Sequence, residues 1–422
     1  SLVANSNEKY VQKAGYEQVD LLQKVRYKPS DYIDLQANIQ LSTSTNINRQ
    51  DQLNNRDENG VPEFAEWYYG PQNRSLALIK GAFSRPTDFY DNMEATLAYQ
   101  NIEESRFTRE YRLDTIYEQV EGVQVGSFNL DMFKKISNRH DFSYGLDLNY
   151  NAVSSEAQRR SIYTDISLTD ITRYPDEGTT TMTTGGYASY KTRVHTKLIT
   201  AVGLRFQHYT LNAKYGAFYN DLPEVFRDVN LENQAITASL SFIVNQTRSF
   251  NWNLIFSTGF RSPNLDDLAK IRLTSGKLTL PNADLKPEYS YNAEIGFSKI
   301  FDGYIQINGN FFFTYLTEAI TRVPYTFEDG SDSIFFQGDY RSTYQNVNSN
   351  EAIIQGFSLN LVSDLNSNVS FKSTLNYTYG KNLTENTPLA HIPPIFGRSD
   401  FSYEIKKFIF DIYFNYAGWK HI

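Results

Sequence analysis

Five histidines, no cysteine and scattered carboxylates are what this 422-residue chain offers for catalysis or metal binding. Without cysteine there is no disulfide, thiolate metal site or thiol nucleophile. His140 and His195 fall at tight turns, His208 on a strand, His391 in a loop and His421 near the last residue, so no pair has metal-ligand spacing. The sequence carries no G-x-S-x-G, H-E-x-x-H or G-x-x-x-x-G-K-[ST] pattern, and no catalytic residue, enzymatic activity or cofactor is expected. Asp51, Asp57 and Glu58, and Glu328, Asp329 and Asp332, are hard oxygen donors of the kind that hold Ca²⁺. Neither cluster has a recognised ligand spacing, and solvated loop charge is the plainer reading. The remaining chemistry is stacking. Trp67, Tyr68, Tyr69, Phe218, Tyr219, Tyr325, Phe327, Phe335, Phe336 and Tyr340 lie between strand-like segments, where rigid rings give a ligand contact area at small entropic cost.

The elements that must position these residues are strands. Aromatic residues make up 15% of the chain, against three methionines, a balance that suits strands better than helices. Alternation with a period of two recurs throughout. Phe250, Trp252, Leu254, Phe256 and Phe260 share one face while Asn251, Asn253, Ser257, Gly259 and Arg261 take the other. Ile236, Ala238, Leu240, Phe242 and Val244 alternate with Thr237, Ser239, Ser241 and Asn245 in the same way, as do residues 142–150 and 369–379. Such patterning predicts about sixteen strands, near 16–28, 31–42, 73–84, 90–103, 119–133, 139–153, 184–194, 197–211, 233–245, 249–260, 288–299, 304–316, 352–363, 368–380, 398–406 and 408–417. Many exceed the usual soluble strand and approach what a tilted strand needs to cross a bilayer. No stretch nears the roughly 18 apolar residues of a membrane-spanning helix. A net charge of −8 argues against nucleic acid as a partner.

The links alternate. Lys28-Pro29-Ser30, Arg85-Pro86-Thr87, Ser137-Asn138, Val194-His195-Thr196, Asn245-Gln246-Thr247, Phe301-Asp302-Gly303, Asn366-Ser367 and Lys406-Lys407 are tight. Between them lie long links at 43–72, 104–118, 154–183, 212–232, 261–287, 317–351 and 381–397. Short turns on one rim and long loops on the other predict an all-β, antiparallel transmembrane barrel in an outer membrane, with lipid against its apolar face. With the turns in the periplasm, the first and last strands place both ends of this chain outside. It therefore reads as an interior portion, 1–422, of a larger barrel.

Residues 256–296 are more specific. Phe260-Arg261-Ser262-Pro263-Asn264-Leu265, then Leu280-Pro281-Asn282-Ala283-Asp284-Leu285-Lys286-Pro287-Glu288 and Asn292, Glu294 and Gly296, resemble the paired boxes that flank a large extracellular loop in TonB-dependent outer-membrane receptors. Ala65-Glu66-Trp67-Tyr68-Tyr69-Gly70-Pro71-Gln72 and Pro388-Leu389-Ala390-His391-Ile392-Pro393-Pro394 are similar to segments of Bacteroidetes-type members. The resemblance implies a barrel of about 22 strands, so about three further strands on each side, and an N-terminal plug outside this chain.

It also implies energy-coupled uptake of a large, scarce ligand by a Gram-negative cell, an iron-siderophore complex first, with haem, cobalamin or another nutrient as alternatives. A TonB-type complex would act through the N-terminal region. Phe260, Arg261, Pro263, Asn264, Pro281, Asn282, Lys286, Pro287 and Glu288 read as strand-end anchors, because proline ends ladder pairing and Arg261 can pair with Glu288 across the loop's base. Haem-transporting members are expected to carry a histidine in this loop, and residues 264–287 contain none. The ligand mouth is expected in loops 43–72, 261–287 and 317–351, with Tyr325, Phe327, Phe335, Phe336 and Tyr340 as first contacts and Trp67, Tyr68 and Tyr69 second. A passive porin and a soluble β-repeat adhesin are the rival classes.

Overall fold

The computed structural model describes residues 14–164, 166–274 and 276–419. His421 lies outside them. Sixteen strands of ten residues or more dominate: β1 Gln18–Ser30, β2 Ile33–Ser44, β3 Asn73–Phe83, β4 Asn92–Glu110, β5 Thr115–Ser137, β6 His140–Ser161, β7 Thr179–His195, β8 Leu198–Lys214, β9 Asp228–Thr247, β10 Phe250–Arg261, β11 Glu288–Phe301, β12 Ile305–Pro324, β13 Asp339–Asn366, β14 Val369–Asn382, β15 Phe396–Ile405 and β16 Phe408–Ala417. Each pairs antiparallel with the next, in chain order, within one continuous sheet. Among the described residues β1 and β16 are each paired along one edge.

Register keeps the two faces apart. Val202, Leu240, Phe256, Ala293 and Phe313 stand opposite one another across β8 to β12, forming an apolar belt on one face of the sheet. Leu240 is 39% and Phe256 46% exposed. The opposite face is cross-linked by polar groups: Arg205 pairs with Asp147 at 2.7 Å, Asn151 donates to Thr181 at 2.9 Å and Thr314 donates to Asn292 at 2.7 Å. A single sheet with one greasy and one hydrogen-bonding surface suits lipid on one side and a hydrated lumen on the other.

The strands run further on the loop side than alternation indicates. The expected link 104–118 shrinks to Tyr111–Asp114, because the β4–β5 ladder continues to Thr108 opposite Tyr117. Likewise β6 extends to Ser161, and β12 and β13 take up much of 317–351, with Ser333–Phe336 folding back on β13. The reason is environmental. Past the apolar belt both strand faces meet water or other loops, so Glu118 and Arg160 replace the apolar members and the alternating signature disappears.

Two dry cores form on this side. Tyr215, Tyr219, Leu222, Phe226, Ile271, Leu278, Leu280 and Phe336 make one, with Tyr325 and Phe327 packed against it. Leu211, Ala213, Val229, Leu231, Leu268, Ala269 and Leu285 make the other, where the 261–287 loop folds against the polar-face stripe of β8 and β9. Buried tyrosine hydroxyls fasten the loops together. Tyr215 donates to the Ala269 carbonyl at 2.6 Å and accepts from the Ile271 N–H at 2.9 Å, and Tyr219 accepts from the Thr172 N–H at 2.9 Å. Burial pushes the Tyr219 phenol up to about 12, against the two bonds from Thr172. Lys277–Leu280 adds a parallel ladder to Ser342–Gln345 of β13.

Arginine at Leu240 or Phe371 should cost about 2 to 4 kcal/mol if placed near the bilayer midplane, whereas Arg at Ser241 or Thr374 should be tolerated. Unfolding titrations in vesicles check this, with equal costs on the two faces contradicting the facing. Phe336→Ala should loosen the loop cluster by about 3 to 5 kcal/mol, as removal of a buried ring does. Faster hydrogen exchange at 215–227 and 325–343, with unchanged heat-modifiable migration of the barrel, is the expected readout.

Candidate functional site at the loop-side mouth

The two boxes meet as a scaffold. Arg261, the last residue of β10, is paired in register with Glu288, the first of β11, and its guanidinium bridges the carboxylates of Glu288 and Asp267. The second oxygen of Glu288 accepts the Ile320 N–H at 2.7 Å. Asn264 caps the single helical turn Leu265–Leu268, with Asp267 reciprocating, which satisfies N–H groups the turn would leave open. Pro263, Pro281 and Pro287 are buried. Gln345 donates to the Pro281 carbonyl, Asn282 to the Asn346 carbonyl, both at 2.7 Å, and the Lys286 N–H to Asn348 at 2.8 Å. Phe260 packs beside Tyr289, with ring centroids 6.3 Å apart. These contacts hold the loop to β13.

The aromatic candidates separate. Phe336 has no exposed surface, and its ring lies 6.3 Å from that of Tyr219 inside the first core; its place among the first ligand contacts is therefore corrected to a packing role. Tyr325 and Phe327 stack edge-on at 5.1 Å and lean on Phe226, so they too help to build the core. Phe335 and Tyr340 remain outside it, 49% and 72% exposed and 5.6 Å apart, on the hairpin that turns at Gln337 and Gly338, both at positive φ. These three, Phe335, Phe336 and Tyr340, lie on paired strands rather than in an open loop.

Trp67, Tyr68 and Tyr69 also lie on a strand, Phe64–Tyr69, added to the end of β4. Tyr68 turns to the apolar side and stacks on Phe107 at 4.8 Å. Trp67 and Tyr69 share the other side with two guanidinium groups. Arg49 lies 4.7 and 5.4 Å from their ring centres and Arg106 5.5 Å from both, close enough for cation–π attraction.

Arg106 leads into a cavity of about 610 Å³ between the polar faces of β4, β5 and β6 and the inward-folded segments 170–173 and 270–274. Arg106, Arg159, Arg173, Lys270 and Arg272 line it, with Asp170 as its one lining carboxylate. Arg173 reaches Glu104 at 3.6 Å and Lys270 reaches Asp266 at 2.9 Å. Arg106, Arg159 and Arg272 have no carboxylate partner among the described residues, and Arg106 Nε is buried without a hydrogen-bond acceptor. Gln337, at the tip of the Phe335/Tyr340 hairpin, completes the rim. Nearby Glu121 is 3% exposed and its Oε1 lacks a donor among the described residues. A cavity of this composition attracts anions.

The arginines were not singled out from the sequence, yet a signal exists. Arg106 has the parity of Thr96 and Gln100 on β4, and Arg159 that of Asn149 and Asn151 on β6, so continuing each strand's phase puts both on the polar face. Three of the carboxylates considered for Ca²⁺ serve local ends. Asp51 pairs with Arg49 at 2.6 Å, Asp57 accepts the N–H groups of Asn59 and Val61, and Asp329 accepts that of Ser331. No described histidine lines the cavity. His140 meets the Tyr190 hydroxyl at 2.5 Å at the turn side, and His208 faces Glu232 at 3.9 Å.

Solved structures share this architecture. The copper transporter OprC superposes over 93% of this chain and 58% of its own, with a TM-score of 0.71 at 13% identity. The hemophore receptor HasR of Serratia marcescens, in complex with its hemophore HasA and heme, matches over 95% and 64%, with 0.68 at 14%. The ferric yersiniabactin uptake receptor FyuA from Yersinia pestis matches over 93% and 57%, with 0.63 at 12%. At these identities the likeness establishes the transmembrane barrel fold. Hemoglobin-binding protein A of Haemophilus influenzae is 28% identical over 196 residues, 43% of this chain and 19% of that protein. The chain thus spans less than two thirds of each of these relatives. Residues 23–420 match the model for the TonB dependent receptor-like β-barrel, and the chain belongs to that outer-membrane family.

Proposed function

We propose that this chain forms the barrel wall and ligand mouth of a receptor for energy-coupled uptake of a large anionic metal chelate, an iron-siderophore complex in the first instance. The observation that carries the reading is the cavity in which Arg106, Arg159 and Arg272 stand without carboxylate partners beside the Trp67/Tyr69 pair. Guanidinium groups match carboxylate and catecholate oxygens in geometry and sign. Aromatic faces add contact with a ligand's rings.

Haem is the second reading, favoured by the resemblance to Hemoglobin-binding protein A. The cavity offers arginines for haem propionates but no imidazole for its iron, so chelate binding fits its composition better. A passive porin would not need three uncompensated cations and two packed loop cores at its mouth. The energy-coupling complex is the partner on the periplasmic side, and the nutrient chelate the partner outside.

In the full-length receptor, Arg106→Gln and Arg159→Gln should each weaken binding of an anionic ferric chelate by about tenfold or more, the scale of one charge-assisted hydrogen bond lost. The loss should shrink as ionic strength rises. Titration by tryptophan fluorescence against a neutral chelate separates charge recognition from misfolding; equal weakening for both ligands counts against the anion site. Removing the energy-coupling complex should abolish accumulation of labelled chelate, and uptake that continues unchanged would favour the porin.

A further inference from the structure

We propose that the apolar face carries a specific site for an anionic glycerophospholipid of the periplasmic leaflet, at the turn-side ends of β10, β11 and β12. A groove of about 930 Å³ runs there between Trp252, Ile295, Phe297 and Phe311. Phe297 forms one wall, and its ring covers Gly309 on the neighbouring strand, where a Cβ would stand 2.3 Å from it, so only glycine there admits the ring's position. The volume and apolar walls suit an acyl chain.

A single charged residue lines this groove. Lys299 projects from the apolar face, opposite Phe250 on one side and Ile307 on the other. Its Nζ lies 5.7 and 5.5 Å from the rings of Phe250 and Phe301 and donates to Ser249 Oγ at 3.4 Å. The methylenes therefore run along the hydrocarbon boundary while the ammonium reaches the turn, as a snorkelling lysine does. Arg248, exposed on the same turn, precedes Ser249. Neither Lys299 nor Arg248 has a carboxylate partner among the described residues.

Position and charge together select the occupant. The turn-side rim is the periplasmic one in this family's orientation, and glycerophospholipids form that leaflet. Two uncompensated cations beside an acyl groove recognise a phosphate whose headgroup adds no cancelling positive charge. The second apolar groove, between Leu240, Phe256, Tyr291 and Phe313, has no basic residue in its lining and supplies the contrast: acyl contact without headgroup selection.

Native mass spectrometry of the detergent-purified full-length receptor tests the assignment, with phosphatidylglycerol and phosphatidylcholine of identical acyl chains as probes. One phosphatidylglycerol adduct should persist under conditions that strip phosphatidylcholine, and Lys299→Glu with Arg248→Glu should reduce it by about tenfold. Lys197→Glu, on another periplasmic turn, should leave it unchanged, and heat-modifiable migration shows whether each variant is inserted. Should the double variant fail to insert, Gly309→Leu displaces the Phe297 wall of the groove without touching the charges and should lower the same adduct. Equal retention of the two lipids, an adduct unaffected in an inserted double or Gly309→Leu variant, or equal loss in Lys197→Glu would overturn the site.

Discussion

Hydrocarbon offers a backbone N–H or C=O no hydrogen-bond partner, and the rest of this structure depends on that. Each strand in lipid must satisfy its main chain through neighbouring strands, which dictates an unbroken ladder and favours hairpins between consecutive strands. The ladder fixes the register, and the register fixes the faces: once Leu240 is opposite Phe256, Ser241 and Asn292 are committed to the other side. Lipid contact and lumen chemistry are therefore two consequences of one pairing. Beyond the belt water can serve the backbone, and only there do strands end freely, loops fold inward and charged groups cluster.

The same boundary marks how far the sequence could be read. Within the belt each strand meets opposite solvents on its two faces, so the sixteen long strands and their tight turns were legible from alternation alone. Above it, Glu118, Arg159 and Arg160 face water or one another, and the period vanishes although the ladder continues to Thr115 and Ser161. That is why 104–118 reads as a loop and is a hairpin end. The Arg261–Glu288 pair was legible because proline-flanked strand ends bring the two side chains together across one register position. Phe336 was not. Nothing local distinguishes it from Phe335, and its burial depends on Tyr219 and Leu280, which come from other loops.

The box scaffold and the loop cores serve one mechanical end. Arg261 ties the end of β10 to the start of β11 and to the helical turn at Asp267, and Glu288 passes the tie to Ile320 on β12. Asn346 and Asn348 then bind the returning segment to β13. Tyr215 and Tyr219 close the remaining gaps with hydroxyl groups that would be costly to bury unpaired. A mouth held in this way is already ordered before a ligand arrives, so less of the binding free energy is lost to fixing loops. Mobile loops carrying the same residues would bind more weakly.

Charge is distributed with equal economy of position. The chain as a whole is negative by eight, a balance that argued against phosphate partners when read as a sum. A field is set locally, however, and most carboxylates near the mouth are already engaged: Glu66 with Arg109, Glu118 with Arg160, Asp266 with Lys270. The arginines left over share the cavity with Asp170, and the low-dielectric loop cores beside it concentrate their field. Glu121 shows the same surroundings from the opposite side, since it is a buried carboxylate, 3% exposed, on a strand that lines the cavity. An acidic protein can thus present a cationic mouth, because pairing cancels charge along the strands and leaves it uncancelled in the cavity.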